Sequence, residues 1–162
     1  MRTAFEQPVM PLEVGDAAPT VSAQNQHDDR VEPSFEAPTV VYFYPRDDTP
    51  GCTTEAQQFN RELETYDEAG VEVYGVSVDD VDSHRRFAEN YDLEFDLLAD
   101  PDREVADAFE VEEGPGGTTS RTTFVVRNGE IHRVYENVDP SGHARQVLMD
   151  LLDEDVVELD WM

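Results

Sequence analysis

Between Thr39 and Val78 the chain alternates apolar runs with amphipathic stretches, and this constrains its fold more than any other feature. Thr39 to Tyr44 (TVVYFY) is an unbroken β-branched and aromatic run stopped by Pro45, the pattern of a strand buried on both faces. A polar turn, Arg46 to Gly51, leads into a helix predicted to begin near Cys52 or Thr53 and to end at Gly70. Its apolar stripe is Ala56, Phe59, Leu63 and Tyr66. Val71 to Val78 reads as a second strand, and a charged helix follows from about Asp82 to Tyr91. Strand and helix in regular succession predict a parallel sheet covered by helices.

The second half has shorter signals. Phe95 to Leu98 is predicted as a short strand and Arg103 to Phe109 as a short helix, before a flexible stretch at Gly114 to Gly117. Thr122 to Arg127 and Glu130 to Glu136 flank Asn128-Gly129, the strongest short-range hairpin signal, so an antiparallel pair is expected here. A last helix spans about Ser141 to Leu152, with Ala144, Val147, Leu148, Leu151 and Leu152 on its apolar side. Residues 1–11 read as a loose leader, 12–152 as one domain and 153–162 as an acidic tail holding the sole tryptophan, Trp161. The acidic stretch Gln24 to Ala37 reads as loop with at most short strand pieces. The fold class is α/β, a central mixed sheet flanked by helices, compatible with a thioredoxin-like architecture.

Charge decides which partners are open to such a domain. The 162 residues include 38 Asp and Glu against 11 basic residues, every one an arginine, for a formal net charge of -27. Without lysine there is no Walker-type phosphate loop and no Schiff-base chemistry. The acidic field repels phosphate backbones and anionic headgroups, so neither nucleic acid nor membrane is an expected partner. Leu, Ile, Val and Phe supply 38 residues, about 23% of the chain, just above the roughly 20% below which charged chains stay disordered. Zero lysine, abundant Asp and Glu, and valine favoured over isoleucine resemble proteins of salt-loving organisms, and folding that depends on molar salt is expected. The first 15 residues lack an apolar signal core and no apolar run is long enough to span a bilayer, which points to the cytoplasm.

Cys52 is the only cysteine, so no intramolecular disulfide and no multi-cysteine zinc site forms. It falls just after a buried strand, in the first turn of the predicted helix, where uncapped amides and the positive end of the macrodipole favour a thiolate. A lone cysteine is usually a small buried hydrophobe. Its neighbours here (YPRDDTPGCTTE, Tyr44 to Glu55) are polar and turn-forming, which favours a reactive thiol. In so acidic a chain the thiolate needs a cation, and Arg46 and Arg121 are the candidates. Thr49 and Thr53 are available to bond sulfur, a substrate oxygen or the helix amides.

Pro45, Thr49 and Cys52 fit the P-x-x-x-T-x-x-C signature of peroxiredoxins. DDTPGCT at Asp47 to Thr53 resembles the Q-type, or bacterioferritin comigratory protein, subfamily. The resemblance continues in order through LEVGDAAP at Leu12 to Pro19, GVSVDDVDSH at Gly75 to His84, FAENYDLEFDLLADPD at Phe87 to Asp102, SRTTFVV at Ser120 to Val126 and SGHARQVL at Ser141 to Leu148. It implies a thioredoxin-like fold and reduction of hydrogen peroxide and organic hydroperoxides without metal or organic cofactor. It implies Cys52 as the peroxidatic nucleophile, Thr49 as a hydrogen-bond partner of the peroxide, Arg121 as the cation on thiolate and oxyanion, and Pro45 as a shield for the sulfenic acid. Glu55 takes a supporting role, or is a solvated first-turn carboxylate. A monomer is expected.

The chain departs from many relatives of that subfamily in one respect. The position five residues after Cys52, where they carry a resolving cysteine, is Gln57. A one-cysteine cycle follows, recycled by an external thiol, either a thioredoxin- or glutaredoxin-like protein or a small thiol. The alternative function is a non-catalytic redox sensor using the same cysteine. A Cys52–His143 hydrolase is a weaker rival, because no hydrolase signature surrounds Cys52. His27, His84, His132 and His143 lack metal-ligand spacing and read mostly as surface or half-buried residues. No acidic loop has EF-hand spacing.

Overall fold

The computed structural model describes residues 12–154 and 156–157. The leader and Trp161 lie outside the described residues. A small antiparallel pair, β1 (Ala23–Gln24) and β2 (Arg30–Val31), precedes the main sheet. The order is then β3 (Thr39–Phe43), α1 (Pro50–Glu68), β4 (Glu72–Ser77), α2 (Val81–Tyr91), β5 (Asp96–Ala99), α3 (Glu104–Ala108), β6 (Thr122–Arg127), β7 (Glu130–Tyr135) and α4 (His143–Asp153).

The sheet runs β5-β4-β3-β6-β7. β3 pairs in parallel with β4, and β4 with β5, while β6 runs antiparallel to both β3 and β7. This is the expected mixed sheet flanked by helices. All five residues of β3 are buried because it lies at the centre with both faces covered. Its side chains alternate between two cores. Val40 and Tyr42 face the cluster that includes Phe59, Tyr66, Phe87, Val147 and Leu151, from α1, α2 and α4. Val41 and Phe43 face Val76, Leu98, Val105, Phe109 and Phe124. Asn128 and Gly129 both take positive φ (53° and 77°), as a tight hairpin turn requires.

Some boundaries differ from the sequence reading. α1 begins at Pro50, earlier than Cys52, because proline at the first helical position has no amide hydrogen to leave unpaired. α4 begins at His143 rather than Ser141, since Gly142 takes a left-handed conformation. The Gly114–Gly117 stretch is a short 3-10 turn over Pro115–Gly117, held by Gly114 N–H on the Thr118 carbonyl and by Arg103, which donates to the carbonyls of Val111 and Thr118. Past α4, Val157 packs into the core, so the beginning of the acidic tail is part of the folded unit.

Among the described residues the only buried acidic side chains are Asp47, Glu55 and Asp100, so the other carboxylates described are at least partly exposed, in a chain with 38 Asp and Glu and 11 arginines. Screening their repulsion stabilises the compact state, because the Debye length falls to about 3 Å at 1 M salt. Thermal unfolding followed by circular dichroism is expected to show a Tm on the order of 10 °C higher in molar potassium chloride than in dilute buffer. An unchanged Tm would overturn the salt dependence.

Candidate active site

The loop between β3 and α1 carries Cys52 from the centre of the sheet to the first turn of α1. The residue is 1% exposed and belongs to the core cluster, yet its sulfur has a polar partner. Arg121 Nη2 lies 3.4 Å from Sγ, and Nη1 donates to Glu55 Oε1 at 2.8 Å. Arg121 stands immediately before β6, which pairs with β3, so the sheet itself sets the guanidinium against the helix start. The other candidate cation, Arg46, is exposed. Gly51 makes this approach possible: a Cβ there would lie 3.2 Å from Arg121 Nη2 and 3.5 Å from Pro140.

Glu55 is fully buried, correcting the alternative of a solvated first-turn carboxylate. It lies on the same stripe of α1 as Cys52, Ala56, Phe59 and Tyr66. A polar residue in an apolar stripe was the signal available in the sequence. Burial pushes its pKa up to about 7, against the charge and hydrogen bond of Arg121. Burial weakens the hold of Arg121 on its proton, but Glu55 and Cys52 outweigh that and raise its pKa. Among the described residues Glu55 Oε2 has no hydrogen-bond partner.

A carboxyl whose folded pKa exceeds its unfolded value binds protons preferentially in the folded state. It therefore contributes stability below about pH 4.5 that is lost as pH rises through about 7. His143, lowered by burial from 6.5 to about 4, acts oppositely: the stability from holding it neutral is lost as pH falls from 6.5 through about 4. The two slopes overlap, so comparison with Glu55→Gln is needed to isolate the first. Thermal melts in molar salt are expected to show wild type losing on the order of 3 kcal/mol relative to Glu55→Gln between pH 4.5 and 8. A constant difference would overturn the assignment.

Thr49 is the N-cap of α1, but its hydroxyl donates to the Arg46 carbonyl at 3.0 Å. The first-turn amides thus remain free of a side-chain cap, although the Thr49 carbonyl accepts from Thr53 N–H at 2.8 Å. Pro45 is half-buried beside the buried Tyr44. Pro45, Thr49, Cys52 and Glu55 therefore follow β3 on one loop-helix segment, and Arg121 joins them from the residue just before β6.

Two histidines correct the surface reading, since His84 and His143 are buried. His143 is committed to the Thr123 hydroxyl (Nε2 to Oγ1, 2.9 Å) and packs edge-on against Phe59 and Tyr135. It serves the core, not a Cys-His pair. His84 Nδ1 lies 2.7 Å from Asp47 Oδ2 in the active-site loop, an interaction the spacing of 37 residues concealed. Among the described residues no group of three His, Cys, Asp or Glu side chains is placed to hold a metal, and no helix is long and apolar enough to cross a membrane.

A mixed sheet that delivers a lone cysteine to a helix N-terminus, opposite an arginine from the neighbouring strand, defines a thioredoxin-like protein with a cation-assisted thiol. The chain belongs to the AhpC/TSA family, whose characteristic sequence pattern matches residues 14–134, and its relatives place it with the peroxiredoxin Q and Bcp proteins. It is 34% identical over 155 residues to peroxiredoxin Bcp of Bacillus subtilis, covering 89% of this chain and 98% of the relative. It is 40% identical over 139 residues to peroxiredoxin Q, chloroplastic, of Oryza sativa subsp. japonica, covering 83% of this chain. The chain spans only 64% of that plant relative's length. Among solved structures, a Xylella fastidiosa PrxQ mutant superposes with TM-score 0.84 at 28% identity, covering 89% and 98% of the two chains. The Mycobacterium tuberculosis peroxidoxin BcpB gives 0.81 at 29% identity, covering 88% and 97%.

Proposed function

We propose that the protein is a thiol-dependent peroxidase with one catalytic cysteine, acting on hydrogen peroxide and organic hydroperoxides. The observation that carries this reading is Arg121 Nη2 at 3.4 Å from Cys52 Sγ, with the uncapped first turn of α1 on the same side. The crystallised Xanthomonas campestris bacterioferritin comigratory protein, 32% identical with TM-score 0.79, is described by its alkyl peroxide reduction activity, which supports the same substrate class here.

In the first step the Cys52 thiolate attacks the terminal peroxide oxygen. An S–O bond forms, the O–O bond breaks, and the departing alkoxide or hydroxide takes a proton to leave as alcohol or water. Negative charge moves from sulfur to the leaving oxygen, within reach of the guanidinium and helix amides, which need no reorganisation to meet it. Glu55 anchors the far edge of the guanidinium, Thr49 orients the peroxide and Pro45 limits access of water. The sulfenic acid then condenses with an external thiol, releasing water and leaving a mixed disulfide. A second thiol displaces Cys52 and departs as the oxidised reductant. That reductant is a small thiol or a thioredoxin- or glutaredoxin-like protein, because the chain has no second cysteine. The enzyme works as a monomer in a cytoplasm rich in salt.

The test is peroxide consumption in molar salt with dithiothreitol, followed by mass spectrometry of Cys52. Many equivalents consumed per protein and a sulfenic or mixed-disulfide adduct on Cys52 are expected. Oxidation that stops near one equivalent would instead establish a sensor.

A further inference from the structure

Gly51, Glu55, Gln58 and Glu62 recur at helical spacing and form one side of α1. Each meets a partner from outside the helix. A Cβ on Gly51 would lie 3.5 Å from Pro140, and Glu55 accepts from Arg121. Gln58 Oε1 accepts from Gly142 N–H at 2.6 Å, and Glu62 Oε1 lies 3.2 Å from Arg145 Nε. The turn before α4 and the first residues of α4 therefore run beside α1, from the neighbour of Cys52 as far as Glu62. Past Gln58 the two helices border a groove of about 270 Å³, lined by Gln58, Arg61, Glu62, Gly142 and Arg145.

Arginines outnumber carboxylates in this groove, whereas in three others on the described surface the carboxylates outnumber the arginines. Arg61 is exposed and, among the described residues, makes no hydrogen bond or ion pair. Glu62 engages Arg145 through Nε, which leaves both Nη groups of Arg145 without a partner among the described residues. Two guanidinium groups are thus open to an anion on a chain whose formal net charge is -27. That net charge repels anions at long range, but at 1 M salt the repulsion is screened beyond about 3 Å. A guanidinium and a carboxylate in hydrogen-bond contact lie within that length, so the groove keeps its attraction where the repulsion is lost.

We propose that Arg61 and Arg145 bind the carboxylates of the recycling thiol, which makes the reductant a small peptide-like thiol bearing carboxylates. The proposal rests on the peroxidase reading above and adds to it the chemical class of the reductant and its docking point. The dimensions fit. Gln58 and Arg61 follow Cys52 by six and nine residues, which at 1.5 Å per residue sets the groove about 9–14 Å from Cys52 along the helix axis. An extended chain spans about 3.3–3.6 Å per residue, so a thiol of two or three residues reaches from the arginines to the sulfur. With its carboxylates held, the thiol attacks sulfenic Cys52. The S–S bond forms, the S–O bond breaks, and the hydroxyl leaves with the thiol proton as water.

The experiment compares glutathione, which carries free carboxylates at both ends, with its diethyl ester, which keeps the length and the thiol and carries none. Protein oxidised to the sulfenic form by hydrogen peroxide is mixed with either thiol in molar salt, quenched and followed by mass spectrometry of Cys52. Rates are compared per thiolate, and near-ultraviolet circular dichroism confirms the native fold. Wild type is expected to react about tenfold faster with glutathione than with the ester, the scale of hydrogen bonds to charged groups. In Arg61→Gln/Arg145→Gln that ratio is expected to fall toward one. Arg61→Gln alone is expected to lower it about threefold, and it decides if the double variant does not fold. A wild-type ratio near one overturns the proposal, as does a ratio that the variants leave unchanged. Resolution by a thioredoxin that depends on both arginines, when resolution by glutathione does not, makes the groove a protein-docking surface and also overturns it. Failure of peroxide to oxidise Cys52 in folded wild type is a different result, which defeats the peroxidase reading itself.

Discussion

Cys52→Ser is expected to reduce thiol-dependent peroxide consumption to the uncatalysed background while leaving the fold intact. Serine oxygen does not ionise near neutral pH and has no sulfenic state, so both bond changes of the first step are lost together. No other cysteine exists to substitute for it. The replacement is nearly isosteric and sits beside Arg121 Nη2, so the new hydroxyl keeps a hydrogen-bond partner. The structural cost should stay near 1 kcal/mol, the centre of the range for point substitutions. Peroxide consumption and a thermal melt on the same sample separate the two effects. Residual turnover in the folded variant would remove the chemistry from Cys52.

Arg121→Met should be nearly as damaging to the rate, for a different reason. The guanidinium supplies the donor nearest the sulfur, and removing one preorganised donor of this kind typically costs about 10²–10³ in rate. Among the described residues it is also the only side-chain hydrogen-bond partner of Glu55, which is wholly buried. Breaking such a pair from one side is strongly destabilising, on the order of 3–5 kcal/mol when the remaining group stays charged. Glu55, already raised to about 7, would shift further toward its neutral form once the cation is gone, limiting that cost. Adding Glu55→Gln to Arg121→Met should therefore recover much of the stability and none of the rate. Denaturant unfolding and single-turnover oxidation of the four members of this cycle make the comparison. Recovery of activity in the double variant would show that Arg121 acts only as a structural counterion.

The mixed sheet was legible because its signals are local. Thr39 to Phe43, the Asn128-Gly129 turn and the apolar stripe of α1 each lie within a few residues, where periodicity and turn chemistry act directly. The helix starts were displaced by two residues at α1 and at α4, where Pro50 and Gly142 set the first turn. The depth of Glu55 was half visible, since its spacing from Cys52 and Phe59 puts it on the buried stripe, but its charge favours solvent until Arg121 is known to face it. His84 shares a helix face with Phe87 and Ala88, which hinted at burial. Nothing local connected it to Asp47.

By itself the sequence determined the succession of strands and helices, placed the lone cysteine at a helix start and supplied no second cysteine beside it, because each follows from residue type and short-range spacing. Only the tertiary structure decided which arginine meets Cys52, that Glu55 is buried, and that Asp47 is locked to His84. Those pairings join residues 66, 69 and 37 positions apart. They depend on β6 lying beside β3 and on α2 packing over the loop, and the energy of a charged contact is set by the burial around it, which no short stretch of sequence encodes.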